Sequence, residues 1–281
     1  MRTPCSYLIT GGGSGIGAAV TRALTAAGHR VAICGRRADA LRAVAAETGA
    51  LDLVCDIADA GQVAELVGAA AGKLGGLDGL VLNAGIIAPG GVAELPAEDF
   101  TAMVAINLTG SFLVAKAALP HLLASGRGAI VSVASVAALR AASGMGGYAA
   151  TKAGITMLTQ SLAVDHAHEG LRANVVCPGW TITEMADAEM AALGGERGLG
   201  VDDAYQLVTA LVPQRRPASA DEVAAVIAWL LSDAASYVNG AVIPVDGSAV
   251  AVDVGTVPFD PRVSFSQGGE QGRHDGVSPP G

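Results

Sequence analysis

Seven consecutive residues, Gly11-Gly-Gly-Ser-Gly-Ile-Gly17, limit what this chain can fold into more than any other stretch. They follow an apolar strand-like run, Cys5-Ser-Tyr-Leu-Ile-Thr10, and lead straight into an apolar-periodic helix, Ala18 to Ala27. A glycine turn between a strand and a helix lets backbone N–H groups approach a pyrophosphate, and the helix dipole adds to the attraction. Gly11, Gly13, Ser14, Gly15, Ile16 and Gly17 are therefore candidate cofactor contacts. The spacing is Gly-x-x-x-Gly-x-Gly rather than G-x-G-x-x-G. A glycine cluster alone marks only a loop; the strand before it and the helix after it turn it into a nucleotide loop.

The same strand-then-helix rhythm continues. Arg30 to Cys34, Leu51 to Cys55, Leu77 to Leu82, Ala129 to Val133, Leu171 to Cys177 and Asn239 to Val245 read as strands. Helical spacing fills the intervals, including Ala58 to Leu74, Pro96 to Leu123, Gly147 to Glu169 and Ser219 to Leu231. Such an alternation calls for an α/β fold: a single Rossmann-like, doubly wound domain with a parallel sheet flanked by helices and right-handed crossovers. The 281 residues suit one large domain, and 51% apolar against 15% charged residues suits a sheet buried on both faces. No window holds eighteen uninterrupted apolar residues, so no membrane span is expected.

The second strand ends in Gly35-Arg36-Arg37. Where an NAD-binding pattern places an acidic residue for the ribose 2′-hydroxyl, this chain has glycine followed by two guanidinium groups. Arg36 and Arg37 suit a 2′-phosphate, so NADP(H) is the expected cofactor, with NAD(H) possible. The structural alternative is that both arginines only decorate the next helix. Asp56, with Ile57, follows the third strand, where a carboxylate can accept from an adenine amino group. Asn83, Ala84 and Gly85 close the fourth strand.

The chemistry-bearing stretch is Ser132 to Lys152. Tyr148-Ala-Ala-Thr-Lys152 has i,i+4 spacing, which on a helix puts the ammonium one turn from the phenol, on the same face. A phenol titrates near ~10, and bringing it to neutrality asks roughly 4 kcal/mol of a nearby cation. Ser135, just past the fifth strand, carries a hydroxyl able to hold a carbonyl oxygen while Tyr148 gives it a proton. Tyr-x-x-x-Lys alone occurs in many helices by chance; Ser135 and the glycine loop supply the context. Asn107 lies inside a long apolar helix, where its poor propensity demands a partner: a carbonyl, or a water facing the site.

Gly11, Asp56, Asn83, Ser135 and Pro178 all fall just beyond the carboxyl ends of strands, the edge where doubly wound sheets bind ligands. Trp180 to Gln214 is acidic, helical or irregular, and lies between two strands; a substrate lid is expected over about 180–214. Residues 1–256 form the expected catalytic domain. From 257 to 281 Pro, Gly, Ser and charged residues replace the apolar pattern, so a poorly ordered tail is expected.

Together, Thr10 to Gly17, Asp56, Asn83 to Gly85, Asn107, Ser135, Tyr148-x-x-x-Lys152 and Pro178-Gly179 with Thr183 resemble the short-chain dehydrogenase/reductase family over about residues 5–250. The resemblance implies a seven-stranded parallel sheet, a nicotinamide cofactor and a catalytic tetrad of Asn107, Ser135, Tyr148 and Lys152. It implies that Tyr148 is the proton donor or acceptor and that Ser135 binds the reacting oxygen. Lys152 would hold the nicotinamide ribose and lower the tyrosine pKa, and Asn107 would anchor a water. Pro178, Gly179, Thr181 and Thr183 would pass the nicotinamide amide. The chain departs from the family at Thr181 and at Val245-Asp-Gly-Ser248, where Val-Asp-Gly-Gly is commoner. A homotetramer or homodimer built on the two long helices is implied as well.

The expected activity is interconversion of a secondary alcohol and a ketone, with Ile86, Ile87, Val136, Met145 and Trp180 as apolar pocket candidates. One alternative is a 3-oxoacyl-carrier-protein reductase, which needs Arg127, Arg140 and Arg172 to gather into a patch for an acidic carrier. Another is a nucleotide-sensing protein without chemistry. The net charge of −9 argues against nucleic acid or an anionic membrane as a partner. Cys5, Cys34, Cys55 and Cys177 show no C-x-x-C spacing and read as reduced core residues rather than metal ligands; a cytoplasmic protein is expected.

Overall fold

The computed structural model describes residues 4–263. Seven strands form one parallel sheet: β1 Ser6–Thr10, β2 Arg30–Gly35, β3 Leu51–Val54, β4 Gly79–Leu82, β5 Ala129–Val133, β6 Arg172–Pro178 and β7 Val242–Val245. Their order is β3-β2-β1-β4-β5-β6-β7, so the connection reverses direction between β1 and β4. A reversal of this kind opens a crevice at the carboxyl edge of the strands. The central strands β1, β4 and β5 are buried along their whole length, as the continuous apolar runs required.

Helices cover both faces. On one lie α1 Gly15–Ala26, α2 Ala38–Thr48 and α9 Ala220–Leu231, packed with Ile9, Ile33, Val81 and Val131. On the other lie α3 Ala60–Leu74, α5 Ser111–Ala124 and α6 Gly146–His166, packed with Leu8, Leu80, Ile130 and Val175. Local chemistry sets the helix ends. The Asp59 carboxylate accepts from the Gly61 and Gln62 N–H groups to start α3, Gly49 and Gly75 end α2 and α3 in the left-handed region, and Ser219 and Glu222 form a capping box at α9.

The helical run expected from Pro96 to Leu123 is continuous from α4, Ala97–Met103, into α5, and the disturbance near Asn107 is a π-helical turn, Val104–Gly110. By length and apolarity the run from Ala97 to Ala124 could cross a membrane. Here Met103, Val114, Ala115, Ala118 and Leu122 are buried in the fold, while Phe100 and Phe112 remain exposed.

Residues 180–214 contain two helices, α7 Glu184–Arg197 and α8 Val201–Thr209, with a small core of their own around Ala186, Met190, Ala204 and Tyr205. They are tied to the sheet layer by the backbone bridge between Thr181 and Ala218. Residues 257–263 of the segment expected as a tail are described: Val254–Phe259 is a 3-10 helix, and Arg215 pairs with Asp260 at 3.2 Å. The remainder of that expectation, 264–281, lies outside the described residues.

Candidate active site

The crevice at the carboxyl edge is a cavity of about 970 Å³, near the upper end of the ~300–1,000 Å³ usual for small-molecule sites. All the residues assigned to it from sequence line it except Gly17 and Asn107, which stand just behind its wall. Gly17 is in the first turn of α1, so close to the loop that a Cβ there would meet the Gly11 carbonyl oxygen at 2.2 Å. Gly11 itself has φ +67, a conformation that glycine adopts without cost.

The nucleotide wall is stitched by two side chains. Asn83 Nδ2 donates to the main-chain oxygens of Thr10 and Gly11 at 3.0 and 3.1 Å. Thr10 Oγ1 accepts from the N–H groups of Asn83 and Ala84 at 2.9 and 3.0 Å and donates to the Val81 carbonyl. Asn83 therefore fixes the loop from behind. Thr10 does the same from the β1 side, a role its place in the motif did not announce.

Ser14 is the N-cap of α1, yet its side chain does not cap that helix; its Oγ accepts from Arg37 Nη2 at 2.9 Å. Arg37 also pairs with Glu184 at 2.7 Å, across the mouth from the start of α7. Asp56 Oδ1 accepts from the Ala58 N–H, which orients the carboxylate at the end of β3. Glycine N–H groups at a helix start, an acceptor at Asp56 and guanidinium groups at Arg36 and Arg37 fit a dinucleotide by the chemistry of the set.

The reactive wall is built on β5 and α6. Lys152 is buried, its Nζ donates to the Val133 carbonyl at 2.9 Å, and it lies 5.6 Å from the Tyr148 ring centroid, as the i,i+4 spacing required. Ser135 Oγ accepts from the Ala137 N–H at 3.1 Å, holding the hydroxyl at the end of β5. Burial dominates the electrostatics of both Tyr148 and Lys152. Burial pushes the Tyr148 phenol up to about 12, opposed only by its hydrogen bond with Ser135. Burial also pulls Lys152 down to about 8, because an ammonium loses its hydration there while gaining one carbonyl.

Asn107 takes the carbonyl-bonding alternative. Its Oδ1 accepts from the Ile86 N–H at 2.8 Å, and its Nδ2 donates to the Ile86 carbonyl at 2.9 Å and to Thr151 Oγ1 at 3.0 Å. Thr151 in turn donates to the Tyr148 carbonyl at 2.8 Å. A chain of hydrogen bonds thus runs from the loop after β4, through the π turn, to the backbone of the tyrosine. Thr151 had no sequence signal beyond its place between Tyr148 and Lys152.

The rest of the cavity carries several apolar side chains. Ile86, Ile87, Val136, Met145 and Trp180 all line it, with Met185, Val208 and Val212 from the α7–α8 region. Thr181 is buried, its Oγ1 on the Gly179 carbonyl, and Thr183 caps α7 by accepting from the Ala186 N–H. The three arginines needed for an acidic carrier do not gather. Arg127 pairs with Asp78 and Arg172 donates to the Leu230 carbonyl at the amino edge, whereas Arg140 donates to the Val250 carbonyl at the cavity mouth. Sequence reasoning missed Glu189, a cavity residue on α7.

Known proteins match this chain over most of its length. A family model described as enoyl-(acyl carrier protein) reductase matches residues 11–248. Protein MoaE of Klebsiella aerogenes is 42% identical over 258 residues, 90% of this chain and 98% of that protein. Levodione reductase of Leifsonia aquatica is 37% identical over 256 residues, 87% and 93% of the two chains. A solved structure of levodione reductase superimposes with a TM-score of 0.85 at 36% identity, covering 90% of this chain and 100% of that one. A variant actinorhodin polyketide ketoreductase with NADPH superimposes at 0.84 and 33% identity, covering 88% and 98%.

Proposed function

Because the chain belongs to the short-chain dehydrogenase/reductase family and is an oxidoreductase of secondary alcohols and ketones using a nicotinamide cofactor, we propose that Ser135, Tyr148 and Lys152 carry its chemistry, with NADPH as the preferred reductant. The observation that supports this most is the meeting of Ser135, Tyr148 and Lys152 on one wall of the cavity that also holds the glycine loop. When bound, the cofactor supplies or accepts a hydride at the carbinol carbon. Every other part of the reaction falls to side chains of this chain.

Ser135 orients the ketone oxygen by hydrogen bonding. Tyr148, protonated at neutral pH because burial raises it, donates its proton to the oxygen as negative charge develops there. In the oxidative direction the same oxygen acts as the base that takes the alcohol proton. Lys152 faces the ribose position and carries its charge below about pH 8. Asn107 and Thr151 are positioning residues, holding the Ile86 peptide and the start of α6 in place. Ser14, Arg36, Arg37 and Asp56 are the proposed contacts for the adenosine half, and Pro178 to Thr183 for the amide.

Residues 180–214 act in this proposal as a substrate lid on a single catalytic domain. Exposed Phe112 on α5 and Met157 and Val164 on α6 support assembly as a homotetramer or homodimer, and the protein is proposed to work in the cytoplasm. The deciding experiment is oxidation of NADPH and NADH against cyclic, aromatic and acyl-thioester ketones. Tyr148→Phe should lose turnover while still binding cofactor; full activity in that variant sinks the proposal. Equal use of both cofactors, or a preference for NADH, overturns the arginine reading alone.

A further inference from the structure

The substrate end of the cavity contains a carboxylate for which the proposed reaction has no use. Glu189 lies on α7, half-buried, and lines the cavity with Trp180, Met145 and Val208. It is close enough for its charge to act on the Tyr148 phenol and on Tyr205. Among the described residues it makes no hydrogen bond or ion pair, and burial raises its pKa with no opposing interaction. A carboxylate taken partly out of water is costly unless something pairs with it.

The cavity's own cations are engaged elsewhere. Arg37 pairs with Glu184, Arg216 with Glu222, Lys152 donates to the Val133 carbonyl and Arg140 to the carbonyls of Leu139 and Val250. Arg36 follows β2, at the adenosine end. Among the described residues none pairs with Glu189, so a group on the substrate can. Glu189 itself disfavours an anion beside it, since a carboxylate, phosphate or sulfonate placed there would meet like charge. A hydroxyl would give Glu189 a hydrogen bond; an ammonium would give it a hydrogen bond and neutralise it. The net charge of −9 favours cations on approach as well.

We infer that Glu189 recognises a protonated amine on the substrate, so that the enzyme acts on an amino ketone or amino alcohol whose apolar frame lies against Trp180 and Met145. This rests on the proposed reaction at Tyr148 and names its substrate class. Glu189 is a specificity residue and takes no part in proton transfer.

The test uses cyclohexanones carrying, at one position, an aminomethyl, hydroxymethyl, ethyl or carboxylate group, reduced with NADPH. The ratio of kcat/KM for the aminomethyl ketone over its ethyl counterpart should be about ten- to a hundredfold, the scale of one charge-assisted hydrogen bond. In Glu189→Gln that ratio should collapse toward one, and in Glu189→Lys the carboxylate ketone should become the best of the four. Because the readout is a ratio within one protein, a general loss of folding does not imitate it. A ratio near one in the parent, or one that survives Glu189→Gln, overturns the inference. A hydroxymethyl ketone as good as the aminomethyl one, with both lowered in Glu189→Gln, overturns it in favour of a hydroxyl substrate. If the parent reduces none of the four, the reaction itself has failed, and calorimetry with cyclohexylmethylammonium and NADP⁺-loaded protein decides the amine site separately. Binding abolished by Glu189→Gln sustains the site, and no binding removes it.

Discussion

The two walls of the cavity are made in different ways. The wall formed by β1, β4, β5 and α6 is buried and cross-tied: Thr10, Asn83, Asn107 and Lys152 each bond to backbone of a different element or turn, and Thr151 accepts from the Asn107 side chain. The wall formed by α7 and α8 has a small private core and an exposed ion pair, Arg37 to Glu184, at its front. An exposed ion pair contributes at most ~1 kcal/mol, so little holds this wall shut. The first wall holds the reacting groups through cross-ties, whereas the second, on the lid proposed above, is the one expected to yield to what enters.

The largest expected effect separates chemistry from stability on the rigid wall. Lys152→Met should lower kcat/KM by ~10³-fold or more, by analogy with loss of a preorganised charge, yet thermal melts should show no loss of stability. The reason is the sign of the burial effect. The ammonium has a folded pKa near 8 against 10.5 ordinarily, so below pH 8 the fold carries a penalty of roughly 3 kcal/mol, relieved between pH 8 and 10.5. Ketone reduction by the parent should correspondingly decline as pH rises through about 8, which a pH–rate profile will show. A flat profile to pH 10 would mean that the Lys152 charge is not needed.

Next in size is a matched pair of truncations. Leu80→Ala, in the central strand, should cost 2–5 kcal/mol of global stability by the usual range for buried large-to-small changes, measured by denaturant unfolding. Met190→Ala, equally buried but in the α7–α8 core, should leave the global midpoint nearly unchanged and raise KM several-fold, because α7 and α8 can open without the sheet. If both variants shift the midpoint alike, the two walls are one cooperative unit and the contrast is wrong.

Asn107→Ala should fall between these. Stripping both bonds from the partly buried Ile86 peptide costs at most about 1–3 kcal/mol for each group left unpaired, and kcat should drop with cofactor affinity largely retained. The smallest effect concerns Ser248, which has φ +73, in the left-handed region, where the commoner family sequence has glycine. Ser248→Gly should raise stability by about 1 kcal/mol or less, seen as a melting shift of a few degrees at most.

The same contrast explains what the sequence disclosed. The rigid wall was legible because its groups follow strand ends or helix spacing: Gly11, Asp56, Asn83, Ser135 and the Tyr148–Lys152 pair all fell where periodicity put them. Thr10 and Thr151 were not, since a threonine hydroxyl gives no pattern and the partner of Thr10 lies 73 positions away. Spacing at Tyr148 reports proximity to Lys152, whereas the burial that raises the phenol is invisible in one dimension. The yielding wall was legible only as an interval lacking strands. Neither the Arg37–Glu184 pair nor the position of Glu189 inside the cavity leaves a trace in local spacing.

The π-helical turn at 104–110 carries a further consequence. An α-helix rotates about 100° per residue, so one additional residue in a turn rotates everything after it by more than a quarter of a revolution. Before the turn, Phe100 and Met103 abut Gly147, immediately ahead of the tyrosine; after it, Val114, Ala118 and Leu122 address the sheet. A regular helix could not keep both azimuths and also aim Asn107 at the Ile86 peptide. The widened turn is thus a phase shifter between two surfaces, and deleting one residue within it would straighten the helix only by turning one of its two halves away from its proper neighbour.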